Sequence, residues 1–301
     1  MKPKIVVVGS SNTDLVVQVP HFPSPGETVL GDGFIMAHGG KGANQAVAAA
    51  RLGAQVTFVS CLGQDSFGEM AMEAYRAEGI NTEFIRIDSK APSGVALILV
   101  DPKGENEIAV ASGANFTLTV ADVEMAEPAI QSADCVLLQL ETPLPTVETA
   151  VALAKKHEVP VILNPAPARP LPESLLKSVD VLTPNETEAE MLGLVGSDQT
   201  DIARNMLRLG IETVVMTMGS RGALLVSDGE EQQIPAFPTS AVDTTAAGDA
   251  FNGALAVAIA SDQPLEDAVR FANAAGAFAA SSPGAQSSLP TLEDVTGLIS
   301  N

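Results

Sequence analysis

The sequence contains no tryptophan, one tyrosine and ten phenylalanines, and it has no extended basic run. Proteins that bind single-stranded nucleic acid need aromatic side chains for base stacking, and those that bind duplexes or anionic membranes need basic patches. The 301 residues instead carry 37 acidic and 16 basic side chains, which gives a formal net charge of −21. The composition therefore argues against nucleic acid and anionic membrane surfaces as partners.

Cysteines and long apolar segments are also scarce. Cys61 and Cys135 lie within apolar runs, without the spacing of metal ligands, so we expect buried free thiols. No stretch of 18 apolar residues occurs, and the apolar run near the start is too short for a signal peptide, which predicts a cytoplasmic protein. Hydrophobic residues make up 46% of the chain, enough for one large domain or one domain with a small appendage.

Short β-branched runs alternate with longer Ala-rich segments, a pattern typical of an α/β protein with a parallel sheet flanked by helices. The predicted strands are 4–8, 56–60, 135–139, 159–163, 180–183 and 213–217. The predicted helices lie near 42–52, 65–78, 119–132, 143–157, 186–209, 247–260 and 264–280.

Two segments, 15–36 and 83–111, break this alternation because their strand-like runs are separated by turns and not by helices. Such segments could pair with each other as a small separate sheet that covers a cleft or forms a dimer surface. They could also be unconnected surface hairpins.

Two polar segments near the start of the chain could bind a small ligand. Asn12 and Asp14 follow the first strand and, in an extended chain, face the same side, which suits a polyol; an Asx-turn that closes the strand is the alternative. In GGKGANQ, glycines around Lys41 precede a helix that carries Asn44. This is not a Walker A loop, since no Ser or Thr follows the lysine, and it is either a backbone cradle for a ligand or a tight structural turn.

Two further segments allow both a structural and a functional interpretation. Asn185 and Glu188 have the spacing of a helix capping box, and they could alternatively reach a phosphate, its metal or its waters. Gly219 and Gly222 flank Ser220 and Arg221 between two predicted strands. That segment predicts a hairpin turn, and its small residues could also leave room for a base or phosphates.

The segment DTTAAGDAFNGAL carries the strongest signal. A helix that begins within TAAGD would direct the N–H groups of Ala246 to Asp249 at one point, where an anion could bind. Asp249 could be an ordinary N-terminal charge. A carboxylate beside an anion site is also what phosphoryl transfer to an alcohol requires, because a base must accept the hydroxyl proton.

Together these segments resemble the PfkB or ribokinase-like carbohydrate kinases. The resemblance covers nearly the whole chain and includes both family signatures, GGKGANQAVAAARLGAQVTFVSCLGQDSFG and DTTAAGDAFNGAL, joined in order by NPAPAR, TPNETEAE and GSRG. It implies a three-layer α/β/α sandwich with a mostly parallel central sheet and a small β-sheet lid. Residues 1–301 would form one kinase domain, with the lid built from about 15–36 and 83–111.

The resemblance also implies roles for individual residues. Positions that match the sugar site are Asn12, Asp14, Gly40, Lys41, Asn44 and Glu141. Asp249 matches the catalytic base, and the anion hole matches Ala246, Ala247 and Gly248. Positions that match the phosphate, magnesium and nucleotide site are Asn185, Glu188, Thr217, Gly219, Ser220, Gly222, Gly248 and Asn273. Positions that match a potassium site formed largely by carbonyls are Asp243, Thr245, Ala279, Ser282, Gly284 and Ser288.

The expected activity is ATP-dependent phosphorylation of D-ribose at its 5-hydroxyl, with Mg²⁺ and K⁺ as cofactors and a homodimer formed through the lid. The alternatives are a family member that acts on deoxyribose, fructose or adenosine, and a non-catalytic sugar-binding protein. Two departures from the family pattern stand out: Asn273 replaces a frequent histidine, and the segment SSPGAQSS lacks the basic residue of some relatives.

Overall fold

The computed structural model describes residues 2–192, 196–227 and 229–300. The strands are β1 (Lys4–Val8), β2 (Asn12–Gln18), β3 (Asp32–Gly39), β4 (Gln55–Gly63), β5 (Ile85–Asp88), β6 (Gly94–Val100), β7 (Asn106–Ala111), β8 (Cys135–Leu138), β9 (Val161–Leu163), β10 (Val181–Leu182), β11 (Thr213–Thr217), β12 (Ala223–Ser227) and β13 (Glu230–Ile234). The helices are α1 (Lys41–Arg51), α2 (Ser66–Ala77), α3 (Val120–Met125), α4 (Glu127–Gln131), α5 (Leu144–Lys156), α6 (Glu173–Leu176), α7 (Glu186–Met191), α8 (Gln199–Arg208), α9 (Ala247–Ile259), α10 (Leu265–Ala280) and α11 (Leu292–Ser300).

The main sheet has the strand order β13, β12, β11, β10, β9, β8, β1, β4, β5. Strands from β11 to β5 in this order pair in parallel, and β12 and β13 are added antiparallel at one edge. Side chains of β1 alternate between two cores: Ile5 and Val7 pack on one side, and Val6 and Val8 on the other. Because helices cover both faces, the strands can be apolar throughout, and the predicted α/β/α sandwich is confirmed.

The second sheet has the order β3, β2, β6, β7. Strand β2 pairs antiparallel with β3 and parallel with β6, and β7 completes the sheet antiparallel to β6. The predicted separate sheet is therefore confirmed, and the alternative of unconnected hairpins is wrong. Its bounds differ, because β2 already begins at Asn12 and residues 85–88 pair with β4 in the main sheet. Ile85 is buried there, which explains why this short strand joins the large core.

Helix predictions were right in position but too long in two places. The predicted helix 119–132 is broken into α3 and α4, where Pro128 in the first turn of α4 removes a backbone N–H that a continuous helix would need. The predicted helix 186–209 consists of α7 and α8, and residues 193–195 lie outside the described part. Strand β13 and the helices α6 and α11 were not predicted.

Cys61 and Cys135 are buried free thiols, as predicted, and burial raises the pKa of both. Within the described ranges no helix is both long and apolar enough to cross a membrane.

Candidate active site

The site forms where helix α1 begins beside the end of β1. The N–H of Ala43 donates to the Ser10 carbonyl (2.8 Å), and a Cβ at Gly42 would lie 2.5 Å from the Ser10 nitrogen. The close approach of α1 to the chain after β1 therefore requires glycine at position 42. The side chain of Glu141 joins the two segments, because one of its oxygens accepts from the Ser10 hydroxyl (2.5 Å) and the Lys41 N–H (3.1 Å).

Asn12 and Asp14 project from the same face of β2, which confirms that they share a side. Their predicted place at the end of the first strand is wrong, because β1 ends at Val8 and these residues open the small sheet. The Asx-turn alternative is also wrong, since both residues are in an extended strand. Asn12 is paired with Gly39 on one neighbouring strand and Gly94 on the other. These glycines leave space over the polar side chains: a Cβ at Gly39 would lie 2.2 Å from a carboxylate oxygen of Asp14.

Asp14 is a buried carboxylate that no group donates to within the described part of the chain. Its burial raises its pKa to about 6, and the nearby negative charges of Glu141 and Asp249 contribute to the shift. A buried acceptor without a donor is costly unless a ligand supplies the missing hydrogen bonds. Asp14 therefore has the properties of a ligand-binding carboxylate.

Asp249 is the third residue of α9 and is buried. One of its oxygens accepts from the Asn44 amide (2.9 Å) and the other from the Gln45 amide (3.0 Å). Burial raises the pKa of Asp249; the positive charge of Lys41 and the two amide hydrogen bonds oppose this rise without cancelling it, and Glu141 adds to it. The site thus contains an oriented carboxylate of increased basicity.

The start of α9 leaves backbone donors beside this carboxylate. Ala246 caps the helix in the left-handed region (φ 59°), which turns the chain sharply into α9. The N–H of Ala247 donates to the Thr244 carbonyl (3.2 Å), so this N–H group is not available to an anion. The N–H groups of Gly248 and Asp249 have no acceptor among the described residues. These two free donors lie where the sequence predicts an anion site.

A chain of buried polar groups connects the carboxylate with the backbone of α9. The Gln139 amide donates to Gln45 (2.5 Å), and Gln45 donates to Asn164 (3.2 Å) as well as to Asp249. Asn164 then donates to the Thr183 carbonyl (3.0 Å). The Thr183 hydroxyl donates to Asn252 (2.6 Å), whose amide donates to the Gly248 carbonyl (2.8 Å). One network therefore holds both the Asp249 carboxylate and the first turn of α9.

Lys41 is a positive side chain near the carboxylates of Asp249, Glu141 and Glu188. Burial opposes its charge, but the fields of Asp249, Glu141 and Glu188 outweigh that effect and raise the pKa of Lys41. Burial, with a contribution from the negative charge of Asp249, raises the pKa of Glu188 although the Asn185 hydrogen bond and Lys41 act to lower it. The predicted capping box is confirmed: Asn185 accepts from the Glu188 N–H (2.8 Å), and Glu188 accepts from the Asn185 N–H (2.9 Å). This cap therefore faces the same electrostatic site as Asp249.

The other predicted nucleotide positions lie around the end of β11. Thr217 forms a parallel bridge with Asn185, and residues Gly219–Arg221 make the 3₁₀ turn of the predicted hairpin between β11 and β12. At Gly219 there is open space, whereas a Cβ at Gly222 would lie 2.1 Å from the Ile234 carbonyl oxygen. Ser220 is exposed on this turn.

Asn273 lies on α10 and is buried. Its amide donates to the carbonyls of Ile234 (3.0 Å) and Pro235 (3.2 Å). This side chain therefore holds the segment that follows β13.

The predicted cation loops are brought together by Asp243. Its carboxylate accepts from the N–H groups of Thr245 (2.9 Å) and Gly284 (2.8 Å), and these bonds lower its pKa despite partial burial. The Ala279 carbonyl accepts from the Ser282 N–H (3.3 Å). Ser288 is buried, and its hydroxyl donates to the Ala285 carbonyl (2.9 Å). Among the described residues no group of three or more His, Cys, Asp or Glu side chains could hold a metal, so any cation here would depend on carbonyls.

Several site residues were missed in the sequence. They are Ser10, Gln45, Asn115, Gln139, Asn164 and Asn252. Gln45 follows Asn44 directly. The other buried residues of this helix are mostly alanines, so a glutamine among them indicated a hydrogen-bonding role. The others come from distant segments, and only the fold brings them together.

Comparisons with known proteins identify a family and similar proteins. The model of the "pfkB family carbohydrate kinase" matches residues 2–292. The chain is 46% identical to the ribokinase of Haemophilus influenzae over 98% of this chain and 97% of that protein. It is 38% identical to the deoxyribokinase of Salmonella typhimurium over 98% of each. The structure of Arabidopsis thaliana ribokinase complexed with ribose and ATP is similar with a TM-score of 0.92 and 35% identity, covering 100% of both chains.

Proposed function

Because the chain belongs to the pfkB family of carbohydrate kinases, we propose that it transfers the γ-phosphoryl group of ATP to the 5-hydroxyl of D-ribose. One observation carries the proposal. The buried Asp249 carboxylate lies in the first turn of α9, where it accepts from the Asn44 amide and lies beside backbone N–H groups that have no acceptor among the described residues. The similar proteins named ribokinase, one of them complexed with ribose and ATP, support this choice of substrates.

In this proposal Asp249 is the general base. The sugar oxygen forms a bond to the γ-phosphorus while the bond from that phosphorus to the bridging oxygen breaks, and the electron pair stays with ADP. The hydroxyl proton passes to the Asp249 carboxylate. Hydrogen bonds from Asn44 and Gln45 fix the direction in which the carboxylate faces. The pKa of Asp249, raised by burial, makes it a stronger base than an exposed aspartate.

In the proposal, hydrogen-bond acceptors and hydrogen-bond donors of the protein both hold the sugar. Asp14, Glu141 and the Asn44 amide oxygen offer acceptors to the sugar hydroxyls, and Asn12 and Lys41 offer donors. The backbone of Gly40, at the start of α1 in a left-handed conformation (φ 89°), lies against the Asn12 backbone, where a Cβ would clash at 2.7 Å. Asn44 has a buried amide oxygen without a partner in the described part, and a sugar hydroxyl would satisfy it.

The phosphates would lie against the backbone of Ala246, Ala247 and Gly248, where the Gly248 N–H is a free donor and the Ala247 N–H is already bonded to the Thr244 carbonyl. Asn185, Glu188, Thr217, Gly219, Ser220, Gly222 and Asn273 complete the proposed nucleotide site. Mg²⁺ fits this side because one oxygen of the half-buried Glu188 carboxylate has no donor in the described residues, and oxygen ligands suit that ion. The ion would neutralise charge on the transferring phosphate.

K⁺ fits the loops at Asp243, Thr245, Ala279, Ser282, Gly284 and Ser288. Asp243 joins the two loops and is ionised, since hydrogen bonds lower its pKa, and carbonyls retain a second lone pair when they accept one bond. The loop of Asp243 leads directly into α9, so an ion held there would stabilise the turn before the anion site.

We also propose that residues 1–301 form one kinase domain in which the small sheet is a lid. Residues paired across a sheet share a face, so Asp14, Ala37 and Ala96 face the site, whereas Leu15, Met36 and Leu97 face away. The outer face is apolar and exposed, with Phe34 63% and Leu97 54% accessible. An apolar sheet face of this kind supports a homodimer formed lid to lid.

Deoxyribose is the second candidate, because a deoxyribokinase is among the similar proteins. The polar set around Asp14 argues for ribose, since a missing hydroxyl would leave a buried group unpaired at a cost of about 1–3 kcal/mol. The intact Asp249 argues against a non-catalytic sugar-binding protein.

The test is a coupled ADP-release assay of kcat/KM with ribose, 2-deoxyribose, fructose and adenosine. We expect ribose to be the best substrate. If another compound has a higher kcat/KM, the ribose assignment is wrong. If none is phosphorylated while ribose binds by calorimetry, the protein is not a kinase.

A further inference from the structure

We propose that Asn115 is a positioning residue that determines which end of the Asn12 amide faces the sugar. The inference rests on the proposed sugar site and concerns a residue that contacts the site only through Asn12. Asn115 lies in the 3₁₀ turn Gly113–Thr117 after β7, more than 100 positions along the chain from Asn12. Both side chains are buried.

The backbone of Ser11 fixes the orientation of Asn115. The Ser11 N–H donates to Oδ1 of Asn115 (2.8 Å), and Nδ2 of Asn115 donates to the Ser11 carbonyl (3.0 Å). A backbone N–H can only donate and a carbonyl can only accept, so the opposite orientation of the Asn115 amide would break both bonds. The Ser11 backbone therefore fixes which end of the Asn115 side chain is the NH₂ group.

Asn12 takes its orientation from this donor. Nδ2 of Asn115 also donates to Oδ1 of Asn12 (2.8 Å), so that oxygen is turned toward Asn115. The Asn12 NH₂ group, which has no acceptor among the described residues, is left for the ligand. Gly94 makes the arrangement possible, because a Cβ there would lie 2.2 Å from Oδ1 of Asn12 and 2.3 Å from Nδ2 of Asn115.

The orientation matters because Asp14 lies two residues from Asn12 on the same face of β2. An ionised Asp14 can only accept hydrogen bonds. With the observed orientation, Asn12 and Asp14 present one donor and one acceptor to the sugar. With the amide reversed, they would present two acceptors, and neighbouring hydroxyls would have to donate to both. Asn115 thus defines the polarity of this side of the sugar site.

A double-mutant cycle tests the inference. Ribose affinity is measured by calorimetry for the wild type, Asn12→Ala, Asn115→Leu and the double variant. We expect Asn115→Leu to weaken ribose binding on the order of 10-fold, which is the effect of losing one well-oriented hydrogen bond. In the Asn12→Ala background the same change should alter affinity less than about twofold, because Asn115 acts through Asn12. In activity assays, KM for ribose should rise while kcat and KM for ATP change little.

Two further variants complete the design. Asn81→Leu, the same substitution at an exposed asparagine, should leave ribose affinity unchanged. If Asn115→Leu does not fold, Asn115→Asp replaces it, since a carboxylate still accepts from Ser11 but cannot hold the Asn12 oxygen while ionised. Equal losses in both backgrounds, or no loss at all, would overturn the role of Asn115. A wild type that binds no ribose would instead overturn the proposed function.

Discussion

Asp14→Asn should make the protein more stable and at the same time weaken its binding of ribose. The pKa of this carboxyl rises from 3.8 to about 6 in the folded chain, mainly through burial. A difference of about 2 pKa units corresponds to about 3 kcal/mol. Because the folded pKa is raised, Asp14 contributes most to stability below pH 4, and that contribution is lost as the pH rises through 6.

At pH 7 the ionised Asp14 therefore destabilises the fold by up to about 3 kcal/mol, and an asparagine removes this penalty. For a chain of this size we expect a rise in Tm on the order of 5 °C. Ribose binding should fall about 10- to 100-fold, because a hydrogen bond to a charged group contributes about 1.5–3 kcal/mol. Added ribose should consequently raise the Tm of the variant less than that of the wild type.

The assay is urea or thermal unfolding of both proteins between pH 4.5 and 8, with and without ribose. The stability difference should grow with pH and level off above pH 7. Asp32→Asn, which removes one negative charge at an exposed position of the same sheet, controls for the net charge and should change stability little. A variant that is less stable than the wild type at pH 7, or whose gain does not depend on pH, would refute the reasoning.

Asp249→Asn should lower kcat by at least about 10²-fold while ribose binding by calorimetry is retained, and near-normal turnover would remove Asp249 from its role as base. Gln45→Met removes a donor to the Asp249 carboxylate, so the pKa of Asp249 should rise further. The kcat of this variant should therefore fall more at pH 6 than at pH 8. The same substitution at an exposed glutamine, Gln131→Met, should show no such pH dependence. Replacing K⁺ by tetramethylammonium should lower kcat reversibly, and unchanged activity would contradict the carbonyl site. Leu97→Lys should convert a dimer into monomers in sedimentation, and an unaltered mass would rule out the lid interface.

The alternation of apolar strands with Ala-rich helices predicted the main sheet because local periodicity there agrees with the packing. Strand β1 is an example, since each of its apolar residues is buried in one of the two cores. Strand β5 was not separated from the lid segment, because its apolar and polar residues alternate (IRID) as they would in either sheet. Only the burial of Ile85 by the large core decides between them.

The candidate site could be predicted where polar residues interrupt an apolar pattern, as at Asp14, Asn44 and Asp249. The network behind these residues could not. Asn164 and Thr183 directly follow strands β9 and β10, and Asn252 lies in α9. A buried polar residue at such a position does not reveal its partner in the sequence. The place of Asn12 was wrongly predicted because two consecutive strands, β1 and β2, are separated by only three residues.

The distribution of charge in the site explains how a chain with a net charge of −21 can be proposed to bind ATP. Asp14 and Glu141 lie on the sugar side, where hydroxyl groups can donate to them and no negative charge has to be accommodated. On the proposed phosphate side the protein offers free N–H groups at the start of α9. Asp249 lies where the two sides meet, and its repulsion of a phosphate must be offset. In this proposal the Lys41 ammonium cannot balance Asp249, Glu188 and a triphosphate, so the site would depend on added cations, and the acidic composition would predict that requirement.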